Sequence, residues 1–584
     1  MNKEWSLEKL YKGYDDPKFA ADEAELDQLI EDFTALGADL SGEPAAVLKK
    51  AVSITQKLES KAHTLYSFAG LSQAVNTSDA KAAAVQGRLS RKLSAVAAPQ
   101  TALIQYVAGI EDLQKVIDSD ELLKEHEFYL SNIKENAKYT LSPEVEQALS
   151  LYTISGSSAW GDLQSYLTST VPVEYEGKTT NLSDIRNKAY DPDPAVRKSA
   201  YEAEIKAYDR IKDSVAFSLN SIKMEVISHC QLRGYESPLD ETLKQAHMKK
   251  ETLDALLGAI GEYLPKFWEY MKAKARLLGH ENGLPFYDMF APLEGNEKEY
   301  TVEDARDYLV ELFSTFDQEE TDMIARAFDE AWIDFYPHEG KVGGAFCAEI
   351  PALKESRVLT NFGGTLGDVI TLAHELGHAF HNHCLRDNSI LNLDVSMPVA
   401  ETASTFNEVV AMNAAIRAET DPVAKRALIE SQLMDANQII CDIYSRYLFE
   451  TAVFEKREHE FLFADQLCEI MLEAQKKAYG DGLDHSCLHP YMWVCKSHYY
   501  SGNLSFYNFP YAFGGLFARG LYAKYLKDGP SFVPLYKKLL KATGTTTVEG
   551  AAAVAGIDLT DRDFWRASLQ ILADEIDEFI ELCS

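Results

Sequence analysis

Positive charge is scarce in this chain. Lysine and arginine number 57 against 91 aspartates and glutamates, leaving a formal net charge of −34 over 584 residues. Such a surface repels phosphate backbones and anionic headgroups, which argues against nucleic acid and membrane surfaces as partners. The same field is compatible with cationic peptides, but a solvated acidic surface is the simpler account. Cysteine is sparse as well. Cys230, Cys347, Cys384, Cys441, Cys468, Cys487, Cys495 and Cys583 are scattered without a C-x-x-C pair. That spacing excludes a small disulfide scaffold and fits reduced, mostly buried thiols. Long hydrophobic runs are also missing. The opening MNKEWSLEKLYKGYDD has no apolar stretch of the signal-peptide kind. No segment reaches the roughly 20 apolar residues that span a bilayer. A soluble, cytoplasmic protein is expected.

What is present reads as helix. AADEAELDQLIEDFTAL (20–36) spaces apolar residues at helical intervals between acidic ones, and AAVLKKAVSITQKLESKAHTLYSFAGLSQAV repeats the pattern. Ser142-Pro143 predicts a helix start. VPVEYEGKTTNL alternates around Glu-Gly and predicts a small hairpin, and DPDP (191–194) breaks the chain before another helical region, so the vicinity of 185–190 is the expected boundary. Between Gly340 and Gly364, GAFCAEI and RVLTNF read as two strands joined by a proline-containing turn. Thr365-Leu-Gly-Asp368 then has the form of a capping box opening a helix.

That helix carries H-E-x-x-H at 374–378. Histidines four apart lie on one face, one turn from each other, so both imidazoles can reach a single ion. Zinc suits imidazole and takes three protein ligands in catalytic sites. Glu375, about 100° round the helix, is placed as a general base. Chance alone supplies about 0.03 such matches in a chain of this composition, before a helical context is asked for. The third ligand is not in the metzincin position, because His381 and Cys384 stand where glycine and histidine would be required. A Cys384 thiolate is conceivable but would resemble a structural site. A carboxylate from a second helix is the better solution: in PVAETASTFNEVVAMNAA, Glu401 and Glu408 fall on one face, with Glu401 as ligand and Glu408 behind it. His381 reads as a hydrogen-bonding or packing residue and His383 as ordinary.

A second cluster, KSHYYSGNLSFYNFPYAFGGLFARGLYAKY from Lys496 to Tyr525, places His498 among Tyr499, Tyr500, Tyr507 and Tyr511. Buried hydroxyls need partners, and tyrosine and histidine donors suit the negative charge that amide hydrolysis builds on a carbonyl oxygen.

Together, HELGHAFH (374–381), ETASTFNE (401–408), SHYYSGNLSFYNFPYAFG (497–514), EWSLEKLYKGYDDP and PFYDMFAPL (285–293) resemble the oligoendopeptidase F branch of the thimet oligopeptidase family of zinc peptidases. The resemblance implies a mainly α fold: two helical halves enclosing a deep channel for short peptides, with a small β-sheet beside the zinc-binding helix. It implies an N-terminal helical region over 1–110, a branch-specific segment with a hairpin over 111–188, and a catalytic domain over 189–584. It implies one zinc per chain on His374, His378 and Glu401, with Glu375 as base. His498, Tyr507 and Tyr511 are the expected oxyanion donors, with Tyr500 as a further substrate contact. The GGAFCAEI edge, beginning at Gly343 and Gly344, is expected to pair with an extended peptide. The implied activity is endopeptidase cleavage of short unstructured oligopeptides. Its competitors are a zinc carboxypeptidase on a similar scaffold and a non-catalytic peptide-binding protein with a vestigial motif.

Overall fold

The computed structural model describes residues 2–293 and 298–583. The chain is mainly α, with five short strands among the described residues. It divides into two compact units. One comprises Met1–Thr140, Glu297–Ala411 and Tyr525–Gly556; the other comprises Leu141–Asn296, Met412–Lys524 and Ile557–Ser584. The units therefore do not follow the linear segments 1–110, 111–188 and 189–584.

The first unit begins with helices Pro17–Ala38 and Pro44–Val75, each entered through a proline whose missing N–H is no loss in the first turn. Asp16 caps the first by accepting from the Lys18 amide at 2.9 Å. Phe19, Leu26, Phe33, Leu48, Leu65 and Phe68 from these helices form one core, which also takes in Ile350. The sheet of this unit has three strands, β3 (Ile333–Asp334), β4 (Phe346–Ile350) and β5 (Glu355–Leu359), in the order β3-β5-β4. β4 and β5 correspond to the two strands expected from sequence, and they pair antiparallel. β3 adds in parallel to β5, a pairing two residues long that periodicity could not signal. β4 is an edge of this sheet. The sheet packs on helix Leu366–Leu385, where Asn382 Nδ2 donates to Ser356 Oγ at 3.1 Å.

The second unit is organised on helix Pro194–Arg233, 40 residues long and capped by Asp193. The hairpin β1 (Val173–Tyr175) and β2 (Lys178–Thr180) pairs antiparallel, closed by Glu176 and Gly177. Both turn residues have positive φ, the geometry that matches strand twist. The expected boundary near 185–190 is not a boundary between units. Leu182 and Ile185, in helix Leu182–Asn187, are buried in the same core as Ala200, Ala203 and Ala207 of the long helix. DPDP turns the chain within one compact unit, and apolar burial continues across it. No helix among the described residues is long and apolar enough to cross a membrane. All eight cysteines are free; Cys230 and Cys441 are buried and the other six half-buried.

Candidate active site

Helix Leu366–Leu385 starts with the expected capping box. Thr365 Oγ1 accepts from the Asp368 amide at 3.2 Å, and Asp368 Oδ2 accepts from the Thr365 amide at 2.9 Å. Val369, Leu372, Ala373, Leu376 and Phe380 are fully buried and fix the helix by one face. His374 and His378 are thereby left half-exposed on another, their rings 4.9 Å apart.

Glu401 does not lie inside a continuous helix, as the sequence pattern had it. It stands at the break between Met397–Ala400 and Thr402–Ala418, with φ −91° and ψ 10°. Ser404 Oγ donates to its Oε2 at 2.7 Å. That oxygen lies 3.3 Å from His374 Nε2 and 3.2 Å from His378 Nε2. The three donor atoms lie within 4.8 Å of one another. Two ligands of a tetrahedral zinc, each about 2.0–2.1 Å from the ion, are about 3.3 Å apart. The donor set fits zinc in chemistry and in spacing. Burial works against a charged His374, but its bonds to Glu401 and Glu408 raise its pKa to about 10. Glu401 is held well below the carboxylate range: burial opposes this, and the two histidines and Ser404 outweigh it.

The second nitrogen of His374 is also engaged. Nδ1 lies 2.8 Å from Glu408 Oε1. A carboxylate only accepts, so Nδ1 carries a hydrogen, which leaves Nε2 as the nitrogen that would serve a metal once its own proton is displaced. Glu375 is buried, and its Oε2 has no hydrogen-bond partner among the described residues. Burial raises its pKa, opposed by the charges of His374 and His378.

Gly377 is a residue that sequence reasoning passed over. A Cβ there would lie 2.5 Å from Ala403 O and 2.6 Å from Ser404 Cα. Only a hydrogen at this position lets the motif helix touch the backbone that follows Glu401. The available signal was a glycine in mid-helix, which is unfavourable by about 1 kcal/mol relative to alanine unless packing needs it.

The alternative ligands are elsewhere engaged. His381 is buried, with Nε2 2.8 Å from Thr543 Oγ1; that hydroxyl donates to Leu540 O, so His381 Nε2–H donates to it. Burial pushes the His381 pKa down to about 4. Burial and the neighbouring Glu320 and Glu319 carboxylates push the Cys384 thiol up, away from thiolate. His383 meets Glu319 at 3.0 Å in a network with Arg386 and Lys537.

The histidine–tyrosine cluster forms in the second unit. The His498 ring lies 4.8 Å from Tyr507 and 6.2 Å from Tyr511, and these two tyrosines meet edge to face at 5.4 Å. Burial, with the charges of Arg446 and Lys496, lowers the His498 pKa against the pull of Glu450. Tyr511 is 42% exposed. Tyr500 is not part of this cluster. It is buried in the core and its hydroxyl donates to Trp493 O at 2.8 Å, which removes it as a substrate contact. Asn508 Nδ2 donates to Glu450 Oε2 at 2.9 Å, and Glu450 is ion-paired with buried Lys223 at 2.7 Å. Phe506 takes a left-handed φ of 53° and packs on Phe454 and Tyr447. These contacts anchor the turn carrying Tyr507, a positioning device the sequence reading missed. Gly343 and Gly344 precede β4, with Gly344 O accepting from Asn361 Nδ2 at 2.8 Å.

A mainly helical chain with two histidines and a glutamate converging beside a buried H-E-x-x-H glutamate has the architecture of a metallopeptidase. The family model described as Peptidase family M3 matches residues 188–571, and one described as Oligopeptidase F matches residues 108–171. The chain belongs to peptidase family M3. Group B oligopeptidase PepB of Streptococcus agalactiae is 26% identical over 400 residues, covering 67% of this chain and 64% of that protein. The chain thus spans slightly less than two thirds of that relative's length. Oligopeptidase PepF of Bacillus subtilis is 23% identical over 546 residues, covering 92% of this chain and 81% of that protein. The crystal structure of oligoendopeptidase-F from Enterococcus faecium shares the fold, with a TM-score of 0.70 at 20% identity over 97% of this chain and 98% of that one.

Proposed function

We propose that this chain is a zinc-dependent endopeptidase that hydrolyses internal bonds of short unstructured oligopeptides. The observation that carries the reading is the convergence of His374 Nε2, His378 Nε2 and Glu401 Oε2 beside the buried Glu375, whose Oε2 has no hydrogen-bond partner among the described residues. Those three residues would hold one zinc ion, which supplies Lewis acidity toward a carbonyl oxygen. Glu375 takes a proton from the attacking water and returns it to the leaving amine. Its raised pKa suits both halves of that exchange. Glu408 fixes the tautomer of His374. His498, Tyr507 and Tyr511 are the residues we assign as oxyanion donors, on the chemistry of their clustered imidazole and hydroxyl groups. The β4 edge after Gly343 and Gly344 offers main-chain hydrogen bonds to an extended peptide, which gives affinity with little sequence preference. Relatives named as oligopeptidases support the choice of substrate.

The test is digestion of a mixed peptide library with and without a chelator, read by mass spectrometry, with C-terminally amidated members included. Internal cleavage of amidated peptides that stops with chelator is expected. Release of single residues from free C-termini only would replace the endopeptidase by a carboxypeptidase, and cleavage untouched by metal removal would overturn the mechanism.

A further inference from the structure

The second unit holds a cavity of about 380 Å³ that the reaction above does not use. This is the size range of small-molecule sites. Tyr190, Tyr201, Phe286, Tyr287 and Phe290 supply aromatic wall. The ionisable groups other than tyrosine are Arg186, Arg197, Glu204, Asp442, His489 and Lys496. Two of them are already satisfied. Arg197 is buried and paired with Asp288 at 2.7 Å, and the Asp442 carboxylate is taken by Arg446.

Three others are less well matched. Lys496 Nζ has no hydrogen-bond partner among the described residues, and its nearest carboxylate oxygen, on Asp442, is 3.9 Å away. Arg186 has only a long contact, Nε to Glu204 Oε1 at 3.4 Å. His489 is 1% exposed, yet among the described residues neither ring nitrogen has a hydrogen-bond partner, Glu204 Oε1 standing at the long distance of 3.5 Å from Nε2. Of these groups only His489 is buried, whereas the Lys496 and Arg186 side chains are 20% and 39% exposed; a buried donor left without an acceptor, unfavourable by about 1–3 kcal/mol, calls for a water or a ligand at that place. Arg186, Arg446 and Lys496 face Glu204 and Asp442, three cations against two carboxylates, in a chain whose formal net charge is −34. Burial, with Arg446 and Arg186 nearby, pushes the Lys496 ammonium down against the pull of Asp442, as expected of a cation short of an anion.

We propose that this cavity is a second binding site, separate from the metal ligands, for a small organic carboxylate with an aromatic or aliphatic body. Lys496 and Arg186 take the carboxylate, His489 donates to it or to a neighbouring polar atom, and the aromatic wall takes the body. The assignment stands on the cavity alone and is independent of the peptidase reading.

Calorimetric titration of the zinc-loaded full chain with 3-phenylpropionate, 3-phenylpropanamide and inorganic phosphate tests it. One 3-phenylpropionate per chain is expected, with the amide and phosphate each at least tenfold weaker. Lys496→Met and Arg186→Met should each weaken 3-phenylpropionate at least tenfold, while Glu401→Ala leaves it unchanged. Equal binding of the amide would reduce the site to an apolar hole, and equal binding of phosphate would reduce it to an anion hole. Wild-type affinity in both cation variants, or loss of binding in Glu401→Ala, would place the ligand elsewhere and overturn the proposal.

Discussion

Replacing Gly377 with alanine should disrupt the proposed metal centre without changing any of the three residues proposed to hold the ion. The added Cβ would sit 2.5 Å from Ala403 O, where ordinary contact begins at 3.4 Å, so the motif helix and the segment after Glu401 must part by about 0.9 Å. The histidine–glutamate separations of 3.2 and 3.3 Å would open by a similar amount. Overpacking of this kind is destabilising by about 1–3 kcal/mol. Misplacement of a site by about 1 Å weakens its action about a hundredfold. We expect zinc affinity, measured by competition with a chromophoric chelator, to fall by about two orders of magnitude, worth about 2.7 kcal/mol. Gly70→Ala is the control. Gly70 also lies within a helix, but a Cβ there meets nothing within 4 Å, so the change should leave zinc binding alone and add about 1 kcal/mol of helix stability. If Gly377→Ala bound zinc as tightly as Gly70→Ala, close approach of the two backbones would not be what builds the site.

Three further outcomes are expected. Glu408→Ala frees His374 Nδ1 and should weaken zinc binding about 10- to 100-fold, with Glu408→Gln intermediate because its amide oxygen still accepts; equal chelator competition in all three proteins would remove Glu408 from the centre. Glu375→Gln should retain zinc by metal analysis while peptide hydrolysis falls about 10²- to 10⁴-fold, and an active variant would end its role as base. The third concerns Glu320, buried with Oε1 bonded to Asn407 and Oε2 unpartnered. Burial raises its pKa to about 8. The folded chain therefore holds a proton that the unfolded chain releases near pH 4.5, and stability falls as pH rises between the two values, by on the order of 5 kcal/mol. Glu320→Gln should remove this part of the pH dependence in urea unfolding followed from about pH 5 to about pH 9. Parallel wild-type and variant profiles would refute it.

What is local in this protein could be read from the sequence. The H-E-x-x-H spacing, the Thr365–Asp368 box, the Glu-Gly hairpin and the proline-entered helices all act within one or two turns of chain, where backbone geometry and side-chain reach are set by neighbouring residues. The three residues that converge, His374, His378 and Glu401, were also candidates in the sequence, because a two-histidine helix needs one more donor to hold a metal and Glu401 follows closely. What could not be read depends on distant contacts. Tyr499, Tyr500, Tyr507 and Tyr511 are alike in sequence, but Tyr500 spends its hydroxyl on Trp493 O, and only packing decides this. The Glu401 break, the bond from His374 to Glu408 and the Lys223–Glu450–Asn508 anchor likewise join residues that no periodicity links. The sequence alone determined which donors exist and on which helical face they lie. The tertiary structure decided which of them meet, because donor distances of 3.2 and 3.3 Å depend on how closely two backbones approach, and at Gly377 that approach is set by the absence of a single methyl group.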